Sequence, residues 1–277
     1  MSTTTLLTTQ PPAARSTAGQ AGPTQLSAIR AEWIKIRTLR STWVTLLVAV
    51  LALAGLGLLI AAVTSNHLAE VNAHERGAFD PIGRTLGGVN IAQLAIGVLG
   101  VLIVTGEYST GMVKSTFAAI PSRLPVLWAK AGLYAVVTAA LMIPAAFVAF
   151  LGGQQLLGSH GTTLAAPGAV RAVIGVGLYL TVVGVLAVAL GFVIRNTAGG
   201  IATLFGVLLV LPGIGNLLPT SWQTHLLPYL PAAAGQALYD LQPGAGTLSP
   251  WTGFAVMCLW AVAALLGAAV VLKRRDV

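Results

Sequence analysis

Charge is scarce in this sequence. Asp, Glu, Lys and Arg together make up 8% of its 277 residues while hydrophobic residues make up 56%, which is too few charges to clothe a water-soluble domain of this size. Acidic residues are scarcer still, seven against fifteen basic ones, so a cluster of carboxylates able to run hydrolytic chemistry has little to draw on. The single cysteine, Cys258, lies in an apolar run and excludes an intrachain disulfide. It reads as a small packing residue. The stretch 1–24 lacks the apolar core of a signal peptide and is rich in Ser, Thr, Ala, Pro, Gln and Gly, a composition that predicts a disordered tail.

Motifs that would harvest energy or break bonds are also missing. A P-loop places its second glycine directly before the lysine, so that backbone N–H groups wrap a phosphate. Here Gly106 and Gly111 have the right gap, but Met112 and Val113 intervene before Lys114 and Ser115. Neither a G-x-S-x-G elbow nor an H-E-x-x-H pair occurs, and no apolar run carries facing carboxylates. His67, Glu70 and His74 could share a helix face and hold a metal, although their setting in a polar loop reads more simply as solvated residues.

Long hydrophobic runs, by contrast, fill the chain. The mean hydropathy is +0.86, and six runs approach the roughly 20 apolar residues that cross a bilayer core. They cover 43–64, 86–105, 127–151, 170–194, 198–217 and 251–272, and they predict an all-α integral membrane protein with a transmembrane domain over 43–277. The third contains Pro144, where a local bend is expected, and the fifth crosses only if it continues past Pro212. Ahead of the first, residues 25–42 place Leu26, Ile29, Trp33 and Ile36 on one helical face with Arg30, Lys35, Arg37 and Arg40 largely elsewhere, the pattern of an amphipathic helix lying in a membrane interface. Between 218 and 250 the chain is too polar and Pro-rich to cross, yet Trp222, Leu226, Leu227, Tyr229 and Leu230 make it too apolar for a free loop. It is expected to dip into the membrane face as short or re-entrant helices.

The basic residues test this layout. With the N-terminus placed in the cytosol, twelve of the fifteen fall on inner segments and only Arg76, Arg84 and Arg171 on outer ones, as the positive-inside rule requires. Both termini are then cytosolic. The net charge of +8 is spread in short clusters between apolar runs, which suits anionic lipid headgroups and argues against nucleic acid as a partner.

The longest polar interruption on the inner side runs from Thr105 to Lys130. Glu107 sits just past the second run, where it can accept from a following helix N-terminus or pair with Lys114 or Lys130. Gly111 permits a sharp turn, 112–119 reads as a short helix along the membrane plane, and Pro121 ends it. Spacing alone leaves open whether this is a functional lever or an ordinary basic loop that orients the protein.

Three stretches carry a family resemblance: A-E-W-I-K-I-R-T-L-R-S-T-W (31–43), T-G-E-Y-S-T-G-M-V-K-S-T-F-A-A-I-P-S-R (105–123) and Y-L-P-A-A-A-G-Q-A (229–237). In that order around six runs, the sequence resembles the permease subunits of type-2 ABC exporters, in the form common in actinobacteria. The resemblance implies a bacterial plasma-membrane protein in which two permease copies pair. Each is driven by a separate cytosolic ABC ATPase subunit that carries the ATP and Mg, leaving no cofactor on this chain. It further implies an ATPase-coupling role for Glu107, Tyr108, Gly111, Lys114, Pro121 and Arg123, and an outer re-entrant segment containing Tyr229, Pro231, Gly235 and Gln236. Ala233 departs from the pattern, since the family often carries a more polar residue there. The implied cargo is an amphipathic or hydrophobic drug, antibiotic, lipid or peptide. A membrane-embedded enzyme or scaffold without transport is the rival reading, and it would need a polar cluster inside the spans.

Overall fold

The computed structural model describes residues 25–67, 80–119, 123–215, 217–242, 244 and 246–274. Pro121, Glu70 and His74 lie outside these residues, as do the side chain of His67 and the stretch 1–24. Among the described residues every regular element is helical.

Among the described residues six helices are long and apolar enough to cross a membrane: Arg40–Asn66, Pro81–Ser109, Leu124–His160, Ala169–Ile194, Thr197–Gly215 and Pro250–Arg274. In element terms, α1 (Gln25–Thr38) precedes α2 (Arg40–His67), and the second crossing combines α3 (Pro81–Leu86) with α4 (Val89–Ser109). The short α5 (Met112–Ala119) leads to α6 (Leu124–Leu157) and then to α7 (Ala169–Ile194). The fifth crossing is α8 (Thr197–Phe205), a π turn (Gly206–Val210) and α9 (Leu211–Gly215). After α10 (Thr220–His225) and α11 (Pro231–Gln236), α12 (Pro250–Arg274) closes the chain.

Helix limits follow local chemistry. Pro81 opens α3 at a position where its missing N–H costs nothing, while the carboxylate of Asp80 accepts from Ile82 N at 3.0 Å. Asn196 caps α8 in the same manner, accepting from Gly199 N at 2.8 Å. The ring of Pro212 would collide with the carbonyl four residues back in a regular α-helix, and the turn just ahead widens so that Leu211 N donates to Gly206 O. The fifth crossing thereby continues through Pro212 to Gly215. Helix α6 likewise runs unbroken through Pro144.

The centre of the bundle is α7, with 67% of its apolar window buried against 22% for the fifth crossing. It packs on α4, α6 and α12. Lipid supplies no hydrophobic force between helices, so close backbone approach has to come from small residues. Gly57 lies against the Thr85 carbonyl, Gly97 against Leu204, Gly100 against Ala187 and the Gly184 carbonyl, Gly175 against Leu238, and Gly177 against the Ile143 backbone. Gly55, two residues before Gly57, faces open space.

Two buried tyrosines inside the bundle are paired, whereas the buried hydroxyl of Thr138 on α6 has no hydrogen-bond partner among the described residues. Tyr134 donates to the Ile96 carbonyl at 2.6 Å, and Tyr179 donates to Gln93, with both tyrosines buried. At one end, Gln154 donates to the Pro81 carbonyl at 3.0 Å and accepts from Thr162 N at 2.7 Å, tying α3 to the exit of α6. Arg171 at the same end donates to the Leu238 carbonyl at 2.7 Å, fixing the turn after α11. The opposite end holds α1, α5 and the candidate site.

Candidate functional site at the α5 end of the bundle

Four charged side chains from three helices meet where α4 ends. Lys35 of α1 contacts Glu32 Oε1 and Glu107 Oε1, each at 2.8 Å. Lys130 of α6 contacts Glu32 Oε2 at 2.5 Å and Glu107 Oε1 at 2.8 Å. The result is a closed ring of alternating charge, Glu32–Lys130–Glu107–Lys35. Lys130 also donates to the Ile103 carbonyl at 3.4 Å, which uses all three of its protons. The side chains of Glu32 and Lys130 are each only 2% exposed. Buried charge is tolerated only when paired and hydrogen-bonded, and here each ion faces two of opposite sign.

The sequence already offered Lys130 as a partner for Glu107. Lys114, offered beside it, is exposed on α5. Sequence spacing assigns Lys35 only to the polar side of the amphipathic helix and gives Glu32 no role, although the two stand three residues apart on α1. The helix buries Ala28, Glu32 and Ile36 and exposes Leu26, Ile29, Trp33 and Ile34. Ile36 stands where the two faces meet and turns inward.

Burial alone would depress the Lys35 ammonium, but the carboxylates of Glu32 and Glu107 raise it by more, leaving it above the ordinary 10.5. A lysine whose folded value is raised contributes stability that is complete below its unfolded value and disappears as pH climbs through the folded one. The contribution of Lys35 to thermal stability is therefore expected to stay flat across neutral pH and to vanish only above the lysine range. Comparing melting of wild type and Lys35→Met against pH checks this, and a difference that changes between about pH 6 and 8 contradicts it.

Beyond the ring the chain turns sharply into α5. Gly111 adopts φ +72° in open space, a conformation that side-chain-bearing residues rarely take. Val113 and Phe117, four residues apart, bury one side of α5, while Met112, Lys114, Ser115 and Ala118 face outward. Arg123 lies 5.6 Å from the centre of the Phe117 ring and donates to the Leu272 carbonyl at 3.3 Å. Tyr108 lies under Arg195 at 5.3 Å, and Arg195 donates to the Val271 carbonyl at 3.3 Å. Two arginines thus meet carbonyls in the last turns of α12, where the helix dipole is negative. Thr197 donates to the buried Thr105 at 2.9 Å, joining the start of α8 to α4.

The structure therefore brings Glu107, Tyr108 and Arg123 into one connected end of the bundle, with Gly111 and Lys114 on the arm that projects from it. The second predicted group forms a separate cluster. Pro231 and Gly235 are buried in α11, Gln236 is half-buried, and Tyr229 is exposed, its carbonyl accepting from Trp260 Nε1 at 2.9 Å.

Residues 28–213, well over half of the chain and including most of α1, the ring, α5, the first four crossings and nearly all of the fifth, match the family model described as ABC-2 family transporter protein. The chain belongs to this family. Among curated proteins none matches the sequence. As an ABC-2 family member it is a multi-pass membrane component of a transporter, and membership implies association with an ABC ATPase subunit. The matched range places the charged ring within the family's shared region and leaves α11 and α12 beyond it.

Proposed function

We propose that this ABC-2 permease is the membrane-spanning half of an ATP-driven exporter, in which α5 is the coupling helix that docks on a separate cytosolic ATPase. One observation carries the reading. A short helix that exposes Lys114 and Ser115 is joined, through a glycine pivot, to a buried ring of ions that ties three helices together. Movement imposed on α5 reaches Glu107 within one turn of helix, and from there Lys35 of α1 and Lys130 of α6. Arg123 and Arg195 extend the link to α12.

In this reading the α5 end is cytosolic, in agreement with the excess of basic residues there, and both termini lie in the cytosol of a bacterium. Two copies pair around a pathway for an amphipathic or hydrophobic cargo, ATP and Mg stay on the partner, and α11 forms part of the outer gate. Such an arrangement needs no phosphate cradle in this chain, which suits the two residues, Met112 and Val113, that separate Gly111 from Lys114.

Co-purification tests the docking. A P-loop ATPase is expected to accompany the wild-type chain, and Lys114→Glu is expected to lower its recovery about tenfold while the permease remains folded. Lys114 is exposed, so its reversal disturbs no packing. Absence of a P-loop subunit from the wild-type complex, or undiminished recovery with the variant, would overturn the proposal.

A further inference from the structure

Beside the charged ring lies a cavity of about 400 Å³, bounded by the corner between α1 and α2 and by the end of α4. That volume falls within the range of small-molecule sites. Leu99, Leu102, Ile103 and Met112 form an apolar wall, hydroxyl residues of the α1–α2 corner such as Thr38 and Thr42, together with Thr110, line much of the rest, and the charged end is formed by ring members. The ring presents only one side to it. Glu32 and Lys130 are sealed at 2% exposure, whereas Lys35 is 25% and Glu107 13% exposed.

The hydrogen-bond inventory shows what that side can still bind. Lys35 spends two of its three protons, one on Glu32 and one on Glu107. Both lysines bond the same oxygen of Glu107, Oε1, which leaves Oε2 to accept from elsewhere. The opening therefore offers one donor on a cation and one acceptor on an anion, within a ring of zero net charge. A purely anionic ligand would meet Glu107, and a purely cationic one would meet Lys35. A zwitterion answers both, provided its cation carries N–H.

We propose that this cavity holds a zwitterionic phospholipid with a primary ammonium headgroup, its ammonium donating to Glu107 Oε2 and its phosphate accepting from Lys35. The glycerol region then lies along the apolar wall, and the acyl chains leave past Leu102, which is 40% exposed. A quaternary headgroup is disfavoured because it has no N–H to give Oε2. The site does not depend on the coupling reading, since it is built from this chain alone.

The test uses full-length chain reconstituted in vesicles of equal phosphatidylethanolamine, phosphatidylcholine and phosphatidylglycerol, then extracted for native mass spectrometry. Wild type is expected to retain one phosphatidylethanolamine per chain, enriched about tenfold over either other lipid. Gly106→Phe supplies the control. A Cβ at Gly106 meets nothing within 4 Å and Gly106 lines the cavity, so a ring there fills the space while all four charges remain. That variant is expected to retain the three lipids in the bulk ratio. If it fails to fold, Leu102→Trp takes its place with the same expectation. Equal retention of the three headgroups by wild type, or unchanged selectivity in the filled variant, overturns the proposal. So does ATP-dependent movement of labelled phosphatidylethanolamine between leaflets, which would make the lipid cargo rather than a resident.

Discussion

Lys130→Met is expected to destabilise the chain by about 3–5 kcal/mol, the cost of leaving a buried charge without its partner. The substitution retains most of the apolar stem and removes the ammonium, so packing against α4 is largely preserved. What remains is two carboxylates, of which Glu32 is almost fully buried, facing the single cation Lys35. Adding Glu32→Gln removes one charge of each sign from the ring and leaves Lys35 paired with Glu107 at 2.8 Å. The double variant is therefore expected to recover most of the loss and to lie within about 1 kcal/mol of wild type, as replaced buried pairs commonly do. Unfolding of the purified chain in mixed detergent, run as a double-mutant cycle, measures this. Additive costs would show that the ring is not an energetic unit. The double variant has a second use, because it keeps the fold while cutting the link between α1 and α6. Under the coupling proposal it should still hold its ATPase, yet transport less per ATP hydrolysed.

The ring also marks the limit of what could be read from the residues. Six apolar runs, their length and the basic bias between them are local properties, and hydropathy reports local properties well. The partnership of Glu107 with Lys130 was legible only as one alternative beside Lys114 and a following helix N-terminus, since a carboxylate at the end of a crossing needs a cation or exposed N–H groups. Glu32 was not. It lies 75 positions before Glu107, and on a helix so rich in lysine and arginine its charge has local partners enough. Only the docking of α1 against α6 shows that it faces inward. The arginines illustrate the same limit. Arg123 and Arg195 were placed at the inner boundary by the charge count, but their grip on the Leu272 and Val271 carbonyls depends on α12 ending between them. The π turn ahead of Pro212 belongs to a different class, because the proline announces a defect in the ladder without saying whether the helix stops or widens.

Gly235→Val is expected to cost about 1–3 kcal/mol through overpacking, and to do so at the end of the bundle remote from the ring. A Cβ at Gly235 would meet the sulfur of Met257 and, at 2.5 and 2.6 Å, two carbons of the Tyr179 ring. The methionine can move, since its side chain is long and unbranched. The tyrosine cannot easily do so. It is fully buried, its hydroxyl is committed to Gln93, and Tyr239 stands edge-on to it at 5.4 Å. Strain at Gly235 must then push α11 away from α7 and α12, and a valine adds branched bulk where even a methyl group has no room. Gly267→Ala is the matched control, a glycine in the interior of α12 whose Cβ would meet nothing within 4 Å. It is expected to be neutral or to stabilise by up to about 1 kcal/mol through helix propensity. Melting of the two variants beside wild type distinguishes crowding from a general cost of altering glycine. Equal behaviour would mean that α11 is free to shift, whereas a loss confined to Gly235→Val, with α5 docking unchanged, fixes α11 as a rigid part of the end opposite the charged ring.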